Sequence, residues 1–480
     1  MTFGLVSSEN VGGVDSIRGR LHEVFNFVGN TMTKAKVIYL GLDQLRHSPR
    51  NPRTHSDKQI YQIANSIEEF GFTNPIIIDQ DNTVLAGNGR LSAAEKLGIA
   101  RIPCIRLDHL TPAQKRAYLI ADNKIAQNAG WDIEILADDF QLLLEDDYEI
   151  DITGFSSVEI DQTMDSAAPE CGSDPAAENL PSLEPKAPVS REGDLWKLGS
   201  HRVYCGSAVD AASYPHLLGT DKAQMVFTDP PYNVRIDGHV SGGGTVKHTE
   251  FVMGSGEMTP EDFKTFLLSA FRLLAAHTVD GSIHYICMDW RHMQELLSAG
   301  AATYQELKNL CVWAKTNGGM GTFYRSRHEL IFVFKNGTAK HNNNFELGQH
   351  GRYRTNVWSY AGMNAAGSER DCSLELHPTV KPVSMIADAI RDVTTRGHIV
   401  LDAFGGSGST LIAAEQTGRT ARVMELDPLY VDRMIRRWQS FAHDDAVLVG
   451  DERKFHTIAA ERASKAKSKR RNRSNREAAS

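Results

Sequence analysis

The chain has 480 residues, 41% of them hydrophobic and 23% charged, with a formal net charge of −8. Such a length accommodates roughly two to four domains and more than one hydrophobic core. With no apolar run near the ~18 residues that span a bilayer, a membrane partner is not expected and the cytoplasm is the expected compartment. The six cysteines stand scattered without a Cys-x-x-Cys pair, which points to reduced thiols and to no metal site.

Residues 1–35 show no hydrophobic period and read as a poorly ordered extension. Between 36 and 160 the pattern runs strand, turn, helix, strand, helix: Val37 to Leu40, Ser56 to Phe70, Ile76 to Ile78, Thr83 to Ala86, Gly89 to Leu97 and Cys104 to Leu107. A small α/β unit is the expectation. Residues 161–190 hold five prolines, six acidic residues and a single Lys, the composition of an extended linker.

Within the first unit, Asn74-Pro75-Ile76, Gly87-Asn88-Gly89-Arg90 and Ala121-Asp122-Asn123-Lys124 resemble the three boxes of the ParB/sulfiredoxin-like superfamily, whose members include nucleotide-dependent DNA clamps. The resemblance covers residues 37 to 130 and implies a nucleotide pocket. There Arg90 would meet phosphate at a helix start, where free N–H groups favour anions, and Asp122 with Asn123 would reach a Mg²⁺. The Gly-x-x-Arg box lacks a Cys, so sulfiredoxin chemistry is not expected. Asn88 replaces the Glu that clamp members use for hydrolysis. Because fold does not fix function, a DNA-docking or protein-interaction module is the favoured alternative.

The second half opens on an apolar run, Met225-Val226-Phe227, that ends in Asp229-Pro230-Pro231-Tyr232. An exocyclic base amine is a poor nucleophile because its lone pair is delocalised into the ring. Asp229 would accept one N–H and the Pro230 carbonyl the other, while Pro230 and Pro231 stiffen the loop and Tyr232 offers an aromatic face. A base presented this way has left the stack. Residues 233–376 are the expected recognition region. It includes a glycine-rich stretch with Arg235 and Lys247, and a second stretch with Lys340, Arg352, Arg354 and Asn356, types that suit phosphates and adenine edges.

Farther on, His398 to Asp402 reads as a short strand running into Ala403-Phe404-Gly405-Gly406-Ser407-Gly408 and then a helix. Glycines let the backbone approach a ligand, and Glu425 follows about 20 residues on, the separation at which an acid meets ribose hydroxyls. No Lys follows the last glycine, which excludes a P-loop. Residues 461–480 carry eight Lys/Arg against two Glu, so 456–480 reads as a disordered basic tail that attracts phosphate or merely solvates.

In this order, catalytic tetrapeptide, variable region, His377-Pro378-Thr379-Val380-Lys381-Pro382 and glycine turn, residues 190 to 450 resemble the S-adenosylmethionine-dependent DNA amino-methyltransferases. Arg327-His328-Glu329 resembles the start of a later core strand of that family. The resemblance implies a Rossmann-like α/β domain with a mostly parallel sheet at 191–455. It implies an S-adenosylmethionine cofactor with Phe404, Gly405, Gly406 and Gly408 around its methionine part, Asp402 assisting, Glu425 on its ribose and Lys381 near its carboxylate. Ser207 takes the place of the acid expected near the adenine. The implied substrate is double-stranded DNA, and a homodimer and a place in restriction-modification are compatible with it. Asp at the first tetrapeptide position implies adenine N6. The alternatives are cytosine N4, or a nucleotide-gated DNA-binding protein whose methyltransferase half only anchors.

Overall fold

The computed structural model describes residues 36–146, 148–167, 175–181, 187–234, 256–315, 323–345, 354–360 and 380–465. The chain divides into two compact units, Met1–Gly154 and Phe155–Ser480. No helix among the described residues is long and apolar enough to cross a membrane.

In the first unit, strands β1 (Val37–Gly41), β2 (Ile76–Ile78), β3 (Val84–Ala86) and β4 (Arg101–Arg106) form one mixed sheet in the order β1-β4-β2-β3. Helix α1 (Asp57–Phe70) begins at Ser56, whose hydroxyl accepts the Gln59 N–H. Helix α2 (Asn88–Leu97) follows Gly87, whose φ of 98° favours glycine. Cys104 and Ile76 are fully buried in this core. Two further helices, α3 (Pro112–Ala126) and α4 (Ile133–Glu145), were not anticipated, although a Thr111/Gln114 capping box marks the start of α3.

The second unit is built on ten strands: β5 (Leu195–Leu198), β6 (His201–Cys205), β7 (Ala223–Thr228), β8 (Thr278–Met288), β9 (Glu306–Ala314), β10 (His328–Lys335), β11 (Val357–Ser359), β12 (Ile399–Asp402), β13 (Thr420–Glu425) and β14 (Val447–Leu448). Their order is β11-β9-β10-β8-β7-β12-β13-β6-β5-β14, and the central run from β8 to β6 is parallel throughout. Side chains alternate across it. Met225, Phe227, Val400 and Val423 enter one core, whereas Val226, Leu401 and Met424 enter the other, so both faces are covered. Helices α5 (Ser157–Ala167), α6 (Pro175–Glu178), α7 (Ser213–Leu218), α8 (Pro260–Ala276), α9 (Met293–Ala301), α10 (Val383–Val393), α11 (Ser409–Gln416) and α12 (Pro428–Ala442) complete the unit.

Two expected boundaries need correction. The proline-rich 161–190 stretch is no extended linker where it is described: Asp161, Ala177, Leu180 and Val189 are buried. Asp161 is an internal acceptor, pairing with Arg419 at 2.9 Å and with Arg396 at 3.2 Å. The tail also begins later than 456. Residues 455–465 are helical, with Phe455 and Ile458 buried, because apolar residues there outweigh the basic composition. Residues 466–480 lie outside the described residues.

The Asp161 pair supplies a stability test. Arg419 is fully buried at its side chain, so Asp161→Ala leaves an uncompensated interior charge. A loss on the order of 3–5 kcal/mol is expected in urea unfolding. Removing the more exposed Lys308–Glu306 pair should cost no more than about 1 kcal/mol.

Candidate active site

The tetrapeptide and the glycine turn leave the sheet side by side. β7 and β12 are parallel neighbours, with Val400 opposite Met225 and Leu401 opposite Val226, so residues 229 and 403 emerge together at the carboxyl ends of the central strands. Ligands of open α/β sheets bind at such a position. A direct bond joins the two loops: the Thr228 hydroxyl donates to Asp402 Oδ1 at 2.8 Å. Asp402 also accepts from the Thr410 hydroxyl at 2.7 Å and the Phe404 N–H at 3.0 Å. Buried and filled by three protein donors, it shapes the turn from within, and burial pushes its carboxyl up to about 6.

Asp229 is the centre of a charged cluster. Its Oδ2 receives Lys381 Nζ at 2.6 Å and its Oδ1 the Tyr232 hydroxyl at 2.5 Å. Lys381 bridges on to Glu329 Oε2 at 2.9 Å, and Tyr232 reaches the same oxygen at 3.2 Å. Lys315 closes the other side of Glu329. Two carboxylates and two ammoniums thus balance in a largely dry site. Burial foremost, and then Glu329, raise the Asp229 carboxyl against the pull of Lys381. Burial works on Glu329 in the same direction, yet Lys381 and Lys315 hold it below the usual carboxylate range. Burial opposes the Lys381 ammonium, but Asp229 and Glu329 keep its pKa above that of an ordinary lysine. The Asp229 side chain remains 27% exposed against 5% for Lys381, so an incoming amine can reach the aspartate but not the lysine.

Lys381 therefore stands at the tetrapeptide, a partner beyond the cofactor carboxylate near which the resemblance sets it. Glu329 and Lys315 had been given no role. Nothing periodic in the sequence marks them, and only the pairing of β9 with β10, which sets Glu329 opposite Trp313, brings Lys315 alongside.

The glycine turn forms a second surface. Gly406 and Gly408 have φ of 50° and 81°. A Cβ on Gly405 would lie 2.3 Å from Val423, whereas one on Gly406 would meet nothing nearer than 4.0 Å. The turn thus packs on the protein at Gly405 and opens outward at Gly406. Glu425 lies beside it, accepting the Gly406 N–H and the Asp427 N–H, each at 2.8 Å, and burial pushes its carboxyl up to about 7. Ser207 stands one strand over, where Gly206 N–H bonds the Glu425 carbonyl at 2.9 Å. Phe404 packs on Phe266 with ring centroids 5.9 Å apart.

Of the residues expected to meet DNA, Arg235, Lys247 and Arg352 lie outside the described residues. Lys340 is exposed. The Asn356 amide donates to the Leu310 carbonyl at 3.2 Å. Arg354 is committed inward, to Asp392 at 3.1 Å, Asp388 at 3.2 Å and the Tyr360 hydroxyl at 2.8 Å, so its place is a brace and not an open phosphate contact. Phe323 and Tyr324, overlooked in the sequence, are 87% and 81% exposed shortly before Glu329. Asn233, in the left-handed region at φ 54°, ties the ends of the glycine-rich stretch: its amide donates to the Met258 carbonyl and its Oδ1 accepts Gly256 and Met258 N–H.

In the first unit, burial lowers the Arg90 pKa while Asp122 and Tyr118 oppose it, which sets Arg90 and Asp122 in one neighbourhood. Asn123 accepts from Arg53 at 2.9 Å, a residue the motifs did not include.

Comparison with known proteins gives three family matches: a DNA methylase over residues 223–436, a ParB N-terminal domain over 27–123 and a ParB-methyltransferase HTH domain over 134–192. The ParB-like nuclease domain-containing protein YnaK of Escherichia coli (strain K12) is 43% identical over 83 residues, covering 17% of this chain and 95% of that protein. The type II methyltransferase M.HpaI of Haemophilus parainfluenzae is 24% identical over 255 residues, 50% of this chain and 74% of that one. Among solved structures, that of M1.HpyAVI matches at 19% identity with a TM-score of 0.36, covering 49% of this chain and 96% of that one.

Proposed function

From a chain that belongs to the ParB-like proteins through its first unit and is a DNA methyltransferase of the N6/N4 family through its second, we propose an enzyme that methylates the N6 amine of adenine in double-stranded DNA, with S-adenosylmethionine as methyl donor. The observation that carries this reading is the partly exposed Asp229 carboxylate, held by Lys381 and Tyr232 next to the glycine turn.

The donor fits the residues present. Two of the roughly four lone-pair sites of the Glu425 carboxylate are taken by backbone N–H groups, which leaves two for ribose hydroxyls, and the turn is open at Gly406. S-adenosylmethionine, when bound, supplies a methyl group activated on sulfur. Everything else is done by the chain. Asp229 accepts an amine N–H and localises the nitrogen lone pair, and Tyr232 faces the extruded base. Lys381 opposes the burial and the Glu329 charge that raise the Asp229 carboxyl. Positioning supplies most of the rate. Asp at the first tetrapeptide position supports adenine over cytosine.

Methyl-labelled S-adenosylmethionine incubated with the protein and with unmethylated duplex DNA, RNA or protein tests the substrate class. Label in DNA alone is expected; label in RNA or protein alone would overturn the reading. The same donor gives a pH prediction. Glu425 in the free protein protonates near pH 7 but must be ionised to accept two hydroxyls. Calorimetric affinity should therefore weaken as pH falls below about 7 and level off above it, by up to about tenfold per pH unit.

A second reading concerns the first unit alone. The Arg90 Nε is buried without a hydrogen-bond partner among the described residues and stands near Asp122, which favours a nucleotide phosphate there. Titration with nucleoside triphosphates, against Arg90→Ala, tests it.

A further inference from the structure

The short segment that leads into the methylase body is fastened to it by buried polar contacts. Glu178 Oε1 accepts the N–H of Val383, the first residue of α10, at 3.0 Å. The Ala177 carbonyl accepts Arg437 Nη2 at 2.7 Å, and the Pro181 carbonyl accepts Arg433 Nε at 3.0 Å. Asp432 accepts the Val189 and Ser190 N–H groups at 2.6 and 2.8 Å. Glu178, Asp432, Arg433 and Arg437 are all buried. Burying a carboxylate and guanidiniums carries a desolvation cost that a plain connector avoids.

Two of these contacts reach the active site. Val383 comes two residues after Lys381, and Glu178 satisfies a helix N–H that would otherwise lack an acceptor, with its charge at the favourable end of the helix dipole. Arg437, while holding Ala177 through one nitrogen, gives the other to the Ser407 carbonyl at 3.0 Å and the Ser409 hydroxyl at 3.2 Å. One stretch of chain thus grips the element that carries Lys381 and the turn that carries Gly406.

We propose that residues 175–181, together with Arg437 of α12, are a built-in brace of the active site, in which Glu178 is the positioning residue for Lys381 and Arg437, held by Ala177, the positioning residue for the glycine turn. The functional consequence rests on the methyl-transfer reading above. The mechanical part does not, since the contacts exist in the protein alone. The two arms act on different halves of the site, so their loss separates into different readouts.

The test uses full-length protein and the variants Glu178→Met, Glu178→Gln and Arg437→Met. Amide hydrogen exchange without any cofactor should rise about tenfold across 383–386 in Glu178→Met and across 404–410 in Arg437→Met, each leaving the other segment unchanged. Glu178→Met should lower kcat about tenfold with S-adenosylmethionine Kd held within about twofold, since a misplaced Lys381 harms the chemical step. Glu178→Gln, which keeps the acceptor oxygen, restores both. Arg437→Met should instead raise that Kd about tenfold, because the turn loses its support. Should Glu178→Met fail to fold, Glu178→Asp, which withdraws the carboxylate by one methylene, carries the same prediction. Equal rises in exchange over the whole unit in both variants, or no rise at either segment, would overturn the brace. A wild-type protein that neither binds S-adenosylmethionine nor labels DNA would defeat the methyl-transfer reading, while the exchange data would still decide the brace.

Discussion

Asp229→Asn is expected to lower methyl transfer by about 10²–10⁴-fold while S-adenosylmethionine binding stays within about twofold, because a positioned proton acceptor is worth that much and the glycine turn is untouched. The substitution keeps the shape of the side chain and removes its charge. Oδ2 now meets Lys381 and Oδ1 meets Tyr232. A neutral amide keeps its oxygen on Lys381 and turns its NH₂ to the Tyr232 oxygen, whose hydroxyl can then donate to Glu329 Oε2 at 3.2 Å. The replaced side chain therefore keeps its place but loses the charge and basicity that draw an incoming amine. The measurement is single-turnover methyl transfer with saturating donor, alongside calorimetry. Activity within about threefold of wild type would remove Asp229 from the mechanism.

Lys381→Met should have the next largest effect, and it separates charge from contact. Lys381 lies 2.6 Å from Asp229 and 2.9 Å from Glu329, and it is the leading influence that holds the raised Asp229 pKa down. Without it two buried carboxylates face each other with Lys315 paired to Glu329 alone. The Asp229 pKa must rise further. If the ionised form accepts the amine proton, the acidic limb of the pH–rate profile moves to higher pH, activity at neutral pH falls, and raising the pH recovers part of it. Stability should fall by about 3–5 kcal/mol above the shifted pKa, as for a buried pair broken on one side, and by less below it, where Asp229 takes a proton. A profile that keeps its acidic limb would show that Lys381 does not set the ionisation of Asp229.

What the sequence discloses about this site divides by range. Asp229 to Tyr232 and Phe404 to Gly408 are legible because each is a local strand-to-turn pattern whose residues carry their own chemistry. Their adjacency follows from a parallel sheet in which β7 and β12 are neighbours across more than 170 residues of chain. Glu329 and Lys315 are not legible, since a Glu at a strand start and a Lys at a strand end look like any solvated charge until β9 and β10 pair. Basic residues misled in the opposite way: Arg354 reads as a phosphate contact, yet Asp388 and Asp392 on α10 absorb it.

Composition misled in the described parts of 161–190 for a related reason. Proline and acid are the signature of an extended chain, but Pro175 begins a short helix, Asp161 balances the buried Arg419, and Glu178 closes the start of α10. Asp161 and Glu178 each have an interior partner more than 200 residues away, and no window of local composition can register it. The α/β character of the first unit was visible in its alternating apolar runs. Helix α3 is hard to read in the sequence because its exposed apolar residues, Ile120 and Ile125 among them, blur the amphipathic period.

The central claim is that Asp229 activates an adenine amine. Unmethylated genomic DNA is treated with the wild-type protein and methyl-labelled S-adenosylmethionine, digested to nucleosides, and resolved by mass spectrometry. Label in N6-methyladenine, lost with Asp229→Asn, is the predicted result. Label in N4-methylcytosine alone would contradict the adenine assignment, and undiminished label with Asp229→Asn would contradict the mechanism.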